Sequence, residues 1–85
     1  MPDSNIVHKL KNTQQYQYRK IVNRLLEQRK LVRISQEKLA QEIGIDTKLL
    51  GQWERMEVVP STYNLLCWCE AIGVYLIVCY DDDEF

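Results

Sequence analysis

Residues 36–55 run QEKLAQEIGIDTKLLGQWER and carry the most specific pattern in the 85-residue chain. Its apolar residues recur at the spacing of two short helices. The first of these helices ends at Gly44, where the backbone needs a positive φ. Ala40 is small enough for the second helix to cross directly over it. Five apolar side chains fill the wedge between the two helices: Leu39, Ile43, Ile45, Leu50 and Trp53. The pattern predicts two helices that cross through a tight turn.

The N-terminal side of this stretch predicts an arm and one further helix. Residues 1–13 are polar and have no clear period, which predicts an N-terminal arm. From residue 14 to about residue 32, apolar residues recur at helical spacing, and Thr13 precedes them as an N-cap. Ser35 is the predicted N-cap of the next helix. The helical domain as a whole is expected to cover residues 14–73.

The C-terminal side predicts a fourth helix and then a strand. The helix opens at Ser61 and is stopped by Gly73. Residues 74–80, VYLIVCY, are β-branched and aromatic, as in strands. A single strand leaves its backbone groups unpaired, and the internal candidate partner, residues 5–10, is weak. We therefore expect antiparallel pairing with the same strand of a second copy, while the acidic tail, residues 81–85, discourages further growth. The side chains assigned to this dimerisation strand are Val74, Leu76, Val78 and Tyr80.

The composition argues against several classes of protein. The longest apolar run is seven residues, too short to cross a bilayer, and the N-terminus lacks the regions of a signal peptide. The three cysteines form no CxxC pair, so neither a disulfide framework nor a zinc site is indicated. No nucleophile–base pair or glycine-rich phosphate loop is found. We expect a cytoplasmic protein with no enzymatic activity, no metal, no cofactor and no membrane partner.

Charge is divided unevenly along the chain. Residues 1–55 hold all eleven lysines and arginines against six acids, a net charge of +5, whereas residues 56–85 hold six acids and no base, a net charge of −6. This asymmetry favours an anionic partner for the first half. A solvated basic helix followed by an acidic tail is the alternative, and charge alone does not separate the two.

A second pattern links the first helix to the third. Arg29 lies six residues before Ser35, and Glu54 lies near the end of the third helix, a spacing that predicts a bidentate, partly buried ion pair. Here the sequence resembles the Cro/CI (Xre-type) family of phage and bacterial repressors, in which a helix 1 arginine and a "WE" glutamate commonly make that pair. The resemblance covers about residues 18–74, with SQEKLAQEIG and QWER as its most specific parts. It implies a mainly α, four- to five-helix helix-turn-helix domain.

The resemblance also implies which residues would contact DNA. The third helix would lie in the major groove, and its base-reading positions correspond to Thr47, Lys48, Gly51 and Gln52. Lys48 suits guanine and Gln52 suits adenine, while Gly51 reads nothing and lets the backbone approach closely. The start of the second helix offers N–H groups to a phosphate. The expected phosphate contacts are Arg33, Ser35, Gln36, Lys38 and Arg55.

The sequence departs from the family pattern at two turns. The residue two after the "WE" glutamate is commonly glycine and is followed by basic residues, but here it is Met56 and only Arg55 is basic in that stretch. A glycine is also frequent where Arg33 stands. Fewer basic contacts should lower DNA affinity and flatten its salt dependence.

Two function classes follow. The first is a sequence-specific, dimeric transcriptional regulator that represses by covering a promoter at an inverted-repeat operator, of phage, mobile-element or autoregulatory type. An antitoxin that also holds a toxin is a close variant, and activation stays open. The alternative is a protein-interaction module, similar to an antiactivator, that keeps the fold without binding DNA. The loop after Arg55 and the acidic last third favour this alternative.

Overall fold

The structure, a computed structural model, describes residues 2–78, and side chains from residue 13 onward. It has four helices: α1 (Pro2–Leu31), α2 (Gln36–Ile43), α3 (Thr47–Glu54) and α4 (Thr62–Ala71). The expected mainly α fold with a helix-turn-helix is therefore confirmed. Within residues 2–78 there is no strand, while Tyr80 and the acidic tail, residues 81–85, lie outside the described residues.

The first helix begins earlier than the sequence predicts. Helix α1 starts at Pro2 rather than near residue 14, so the stretch expected to form an arm is helical from that proline onward. Proline is well tolerated at the first helical position, and no glycine or second proline interrupts the helix that follows. Apolar periodicity marks only the part of a helix that packs, because each added residue extends a helix without needing an apolar stripe.

The core lies where α2 packs against α3 and α4 and where α1 packs against α3. The two tryptophans, Trp53 and Trp68, are fully buried, with ring centroids 5.6 Å apart and planes tilted by 32°. The predicted core position of Trp53 is confirmed, and Trp68 packs beside it. The other buried apolar side chains are Val22, Leu25, Leu39, Ala40, Leu50, Cys69 and Ile72. Ala40 is 1% exposed on α2, which packs against α3, in agreement with the small side chain that the sequence pattern requires there.

Two of the predicted N-caps, Ser35 and Ser61, are confirmed, whereas Thr13, the predicted N-cap of the first helix, lies inside α1. The hydroxyl of Ser35 accepts a hydrogen bond from the Lys38 N–H at 3.1 Å, and the hydroxyl of Ser61 accepts from the Asn64 N–H at 3.1 Å. Asp46 occupies the N-cap position of α3, but its side chain makes no capping hydrogen bond. Helix α3 is therefore positioned by its packing and by its C-terminal end.

All four helices close through a left-handed residue. These residues are Arg33 (φ 60°), Gly44 (φ 90°), Met56 (φ 62°) and Gly73 (φ 81°). At each end, the N–H of the following residue donates to the carbonyl oxygen five residues earlier, as from Glu57 to Gln52 at 2.8 Å. At two of these ends, Arg33 and Met56 adopt a left-handed conformation that is sterically unfavourable for a residue with a side chain and free of that cost for glycine. They are the two positions where the resembled family commonly has glycine.

After Gly73 the described chain continues without regular secondary structure. Val74 packs against the edge of the core, whereas Tyr75, Ile77 and Val78 are exposed. A strand needs a partner to satisfy its backbone groups, and within residues 2–78 the chain offers none. The expected dimerisation strand therefore stays a prediction. No helix among the described residues is long and apolar enough to span a membrane.

Candidate functional site

Helix α3 has one face in the core and one face outside it. Leu50, Trp53 and Glu54 are buried, while Lys48 is exposed and Gln52 is half-buried on the opposite side. The division follows from helical periodicity, since residues three and four apart share a face. The predicted base-reading position Thr47 is half-buried at the first turn. A short polar face is thus presented on a helix whose other face is fixed.

An ion pair holds the end of α3 against α1. The Arg29 guanidinium donates from Nε to Glu54 Oε2 at 2.6 Å and from Nη2 to Glu54 Oε1 at 3.2 Å. Its Nη1 donates to the carbonyl oxygen of Ile34 at 3.0 Å, in the turn that leads to α2. Only 4% of the Glu54 side chain is exposed. One arginine therefore joins α1, the turn before α2 and α3, with the geometry that the spacing of the two residues predicts.

Gln36 is a third member of this network. Its Nε2 donates to Glu54 Oε1 at 2.7 Å, so the side chain that the resemblance assigned to a phosphate is bound within the protein. The backbone donors at the start of α2 are divided between the protein and the outside. The Lys38 N–H donates to the Ser35 hydroxyl and the Leu39 N–H donates to the Ser35 carbonyl oxygen, so the first-turn N–H groups of Gln36 and Glu37 have no acceptor among the described residues.

Arg55 folds back over Gly51. A Cβ atom at Gly51 would lie 3.1 Å from Arg55 Nη1, and Gly51 is buried although it belongs to the outward side of α3. The sequence-based expectation was that this glycine would leave room for an approaching DNA backbone. In the structure the arginine side chain four residues later occupies that room, because residues i and i+4 lie on one face of a helix.

Glu57 holds Arg55 in this position and was missed by the sequence analysis. Arg55 Nε donates to Glu57 Oε2 at 2.9 Å, and Nη2 donates to Oε1 at 3.4 Å. The hydrogen bond to Glu57 raises the pKa of the Arg55 guanidinium, and the same bond lowers the pKa of the Glu57 carboxyl. An acid two residues after an arginine is a weak signal in a sequence. It becomes informative only when the left-handed Met56 turns the chain back.

The other predicted phosphate-binding residues are open to solvent. Arg33, Ser35 and Lys38 are all exposed. The side chains of Arg33 and Lys38, like that of Lys48, make no ion pair within the described part of the chain. These cations differ in this respect from Arg29 and Arg55, which each have a carboxylate partner.

The residues assigned to the dimerisation strand differ in exposure. Val74 is half-buried, Leu76 is 39% exposed and Val78 is 89% exposed, while Tyr80 lies outside the described residues. Val74 and Leu76 line a groove against α1, together with Ile21 and Leu31. The segment therefore begins at the edge of the core, and its last described residues, Ile77 and Val78, line a more open groove along α1 with Gln17, Lys20 and Ile21.

Metal and thiol chemistry find no support in the side chains that are described. From residue 13 to residue 78, no group of three or more His, Cys, Asp or Glu residues could hold a metal ion. Cys67 and Cys69 are free thiols. Burial raises the pKa of the Cys69 thiol, and a higher pKa lowers the fraction of the reactive thiolate.

Comparison with known proteins gives one match. A family model described as helix-turn-helix matches residues 25–78, which is more than half of the chain. No curated protein and no solved structure matches. The matched region contains α2, α3 and α4 in full, the part of α1 that carries Arg29, and the segment after Gly73.

Proposed function

The chain belongs to the Cro/CI (Xre-type) helix-turn-helix family, and we propose that it is a sequence-specific, dimeric repressor of transcription. Members of this family are typically DNA-binding regulators without enzymatic activity. The observation that carries the proposal is the two-sided character of α3. Its polar face, with Lys48 and Gln52, is available, while Glu54 on the other face is locked to Arg29 at 2.6 Å.

The proposed base readers lie on the first two turns of α3. In the major groove, the exposed Lys48 ammonium would donate to guanine O6 or N7. The half-buried Gln52 carboxamide would form two hydrogen bonds with an adenine, and Thr47 would add a hydroxyl or methyl contact. The Arg29–Glu54 pair supports this role because base readout needs a helix whose position is fixed before binding.

Phosphate binding is proposed at the start of α2. Lys38 and Arg33 carry unpaired charges, and the Ser35 hydroxyl can still donate its own proton to a phosphate oxygen. Because the Gln36 side chain is bound to Glu54, we assign its phosphate contact to the backbone N–H at the positive end of the helix dipole. Among the proposed phosphate contacts, only Arg33 and Lys38 are cations without an ion pair in the described part of the chain, so the salt dependence of binding should be shallow.

Dimerisation is proposed through residues 74–80 of two copies. The exposed apolar side chains of Tyr75, Ile77 and Val78 gain a partner when two segments pair antiparallel about a two-fold axis. Two α3 helices would then enter successive major grooves, ~34 Å apart, on an inverted-repeat operator. Occupation of a promoter by such a dimer blocks transcription sterically. The regulator would act in the cytoplasm, where the DNA is.

The kind of repressor is proposed to be phage, mobile-element or autoregulatory. An antitoxin is the autoregulatory variant in which the same dimer also binds a toxin. A toxin gene beside the coding sequence would favour this variant. Footprinting of the protein over its own promoter would favour simple autoregulation.

Selection from a random duplex DNA library at roughly physiological salt tests the proposal. The purified protein should enrich an inverted repeat with half-sites about one helical turn apart. The matched control is Lys48→Ala combined with Gln52→Ala, which leaves the buried face of α3 intact and should lose the motif. A folded, dimeric protein that enriches no sequence would contradict the proposal.

The second candidate is a protein-interaction module that does not bind DNA. The observation in its favour is the pairing of Arg55 with Glu57, since it neutralises the last cation of the sequence beside α3. From residue 56 onward all charged side chains are acidic. If library selection fails, affinity capture with the wild-type protein and with Glu57→Gln would be the next measurement, with an activator as the expected partner.

A further inference from the structure

We propose that Arg55 reads a guanine in the DNA site, and that Glu57 and Gly51 position it for that role. The inference rests on the proposed DNA-binding function and adds a third base reader to Lys48 and Gln52. It replaces the expectation that Arg55 is a phosphate contact and Gly51 a point of close backbone approach.

Glu57 leaves one edge of the Arg55 guanidinium free to donate hydrogen bonds. A guanidinium has a side edge, formed by Nε and Nη2, and an end edge, formed by Nη1 and Nη2. The Glu57 carboxylate occupies the side edge, at 2.9 Å from Nε and 3.4 Å from Nη2. The end edge keeps two parallel N–H donors, which is the arrangement that binds guanine O6 and N7 together.

The Arg55 guanidinium lies over Gly51, on the polar face of α3. Its Nη1 lies where a side chain at Gly51 would lie, 3.1 Å from the position of that Cβ atom. Gly51 is one residue before Gln52 and three after Lys48, so Arg55 covers the strip of α3 that carries the other proposed readers. Glycine destabilises the interior of a helix relative to alanine. The clearance for Arg55 supplies a reason for a glycine here.

The negative charge of Glu57 suits a base-reading arginine better than a phosphate-binding one. A carboxylate beside a phosphate-binding arginine repels the same phosphate and cancels the release of a counterion. Beside a base reader the carboxylate still repels the DNA, but the base edge itself is neutral and needs a donor of fixed geometry, which Glu57 provides by holding the guanidinium. The pair is also too exposed to contribute much to folding, with 58% of the Arg55 side chain and 53% of the Glu57 side chain accessible.

Library selection with four proteins tests the inference: the wild type, Arg55→Lys, Glu57→Gln and Gly51→Ala. The wild-type motif should contain one guanine in each half-site whose preference depends on Arg55. Arg55→Lys keeps the charge but loses the two-donor edge, so preference for that guanine should fall about tenfold or more while other positions are unchanged. Glu57→Gln should weaken the same preference and raise affinity for unrelated DNA, because one negative charge is removed.

Gly51→Ala separates base readout from folding. The added methyl displaces the Arg55 guanidinium, so preference for the guanine should fall. Thermal stability should rise, because alanine is the better helix former. A role of Gly51 in the fold alone would move stability and leave the motif as it is.

Two results would contradict these claims and can be told apart. A wild-type protein that enriches no motif overturns the proposed function and this inference with it. A wild-type motif that Arg55→Lys reproduces at every position, with Glu57→Gln raising affinity equally for all sequences, makes Arg55 a phosphate contact. That outcome overturns this inference alone.

Discussion

The helix-turn-helix region, residues 29–57, and the C-terminal segment, residues 74–78, satisfy their groups in different ways. In the first region a buried carboxylate, Glu54, receives three hydrogen bonds from Arg29 and Gln36. In the second region four of five side chains are large, apolar and exposed, with Val78 at 89%. The first region is therefore complete within a single chain, whereas the second leaves apolar side chains exposed that the proposed dimer would cover.

The physical reason is the difference in cost between the two kinds of incomplete group. A buried charge without a partner is strongly destabilising, so its partners must be part of the same folding unit. An exposed apolar side chain costs the monomer little and becomes favourable only when another surface covers it. The proposed functions divide in the same way. The helix-turn-helix region, which we call the closed region, is proposed to present the base readers. The C-terminal segment, which we call the open segment, is proposed to set the spacing between two copies.

The largest expected effect comes from breaking the closed region at its ion pair. Arg29→Ala leaves the Glu54 carboxylate buried with only Gln36 as a partner, and should lower the free energy of unfolding by about 3–4 kcal/mol. Urea denaturation measures this directly. Arg19→Ala on the exposed side of the same helix is the control and should change stability by less than about 0.5 kcal/mol. An equal loss in both variants would mean that the pair has no special role.

A substitution at Val78 tests the proposed dimer with the least effect on the monomer, because Val78 is 89% exposed. Val78→Asp should weaken the dimer by about 2–3 kcal/mol, because a charge would be buried in the paired strands, while the monomer stays as stable as before. Sedimentation equilibrium and thermal melting together report both quantities. Tyr63→Asp, at a site on α4 where the side chain is 75% exposed, is the control. If both variants sediment as the wild type does, residues 74–80 do not form the dimer.

Substitutions at two lysines of the closed region distinguish base readout from phosphate binding. Lys48→Ala should weaken binding to the selected DNA site by about 1–3 kcal/mol and relax preference at one base pair, with no change in melting temperature. Lys38→Ala, at a proposed phosphate contact, should weaken binding to all sequences alike and lower the salt slope by about one. Competition binding at several salt concentrations distinguishes the two. Identical profiles for both variants would remove Lys48 from the base readers.

The smallest expected effect concerns the helix ends of the closed region. Arg33→Gly should raise the free energy of unfolding by about 0.5–1 kcal/mol. The left-handed conformation costs a residue with a side chain ~1–2 kcal/mol, and the larger conformational entropy that glycine loses on folding offsets part of the gain. Gly44→Ala is the opposite change at a matched end and should destabilise by about 1 kcal/mol. Its Cβ would meet no atom within 4 Å, so the cost is that of the backbone alone. A loss of stability in Arg33→Gly would show that the arginine side chain, and not its φ, matters there.

Much of the fold could be predicted from the sequence because it depends on short-range spacing. Apolar residues three and four apart predict α2, α3 and α4, and Gly44 and Gly73 predict where two helices end. The core positions of the two tryptophans follow from the same periodicity. The start of α1 could not be predicted in this way, since residues 2–13 carry no apolar stripe to mark a helix.

The helical pattern, the charge asymmetry and the alignment of Arg29 with Glu54 follow from the sequence alone, because they depend on distance along the chain. Which polar groups meet depends on the tertiary structure. Gln36 reaches Glu54 across 18 residues, and Arg55 reaches Glu57 because Met56 adopts a left-handed conformation that its side chain disfavours. Hydrogen bonds act over about 3 Å, so their partners are set by how the helices cross and turn. Neither geometry can be read from a list of residue types.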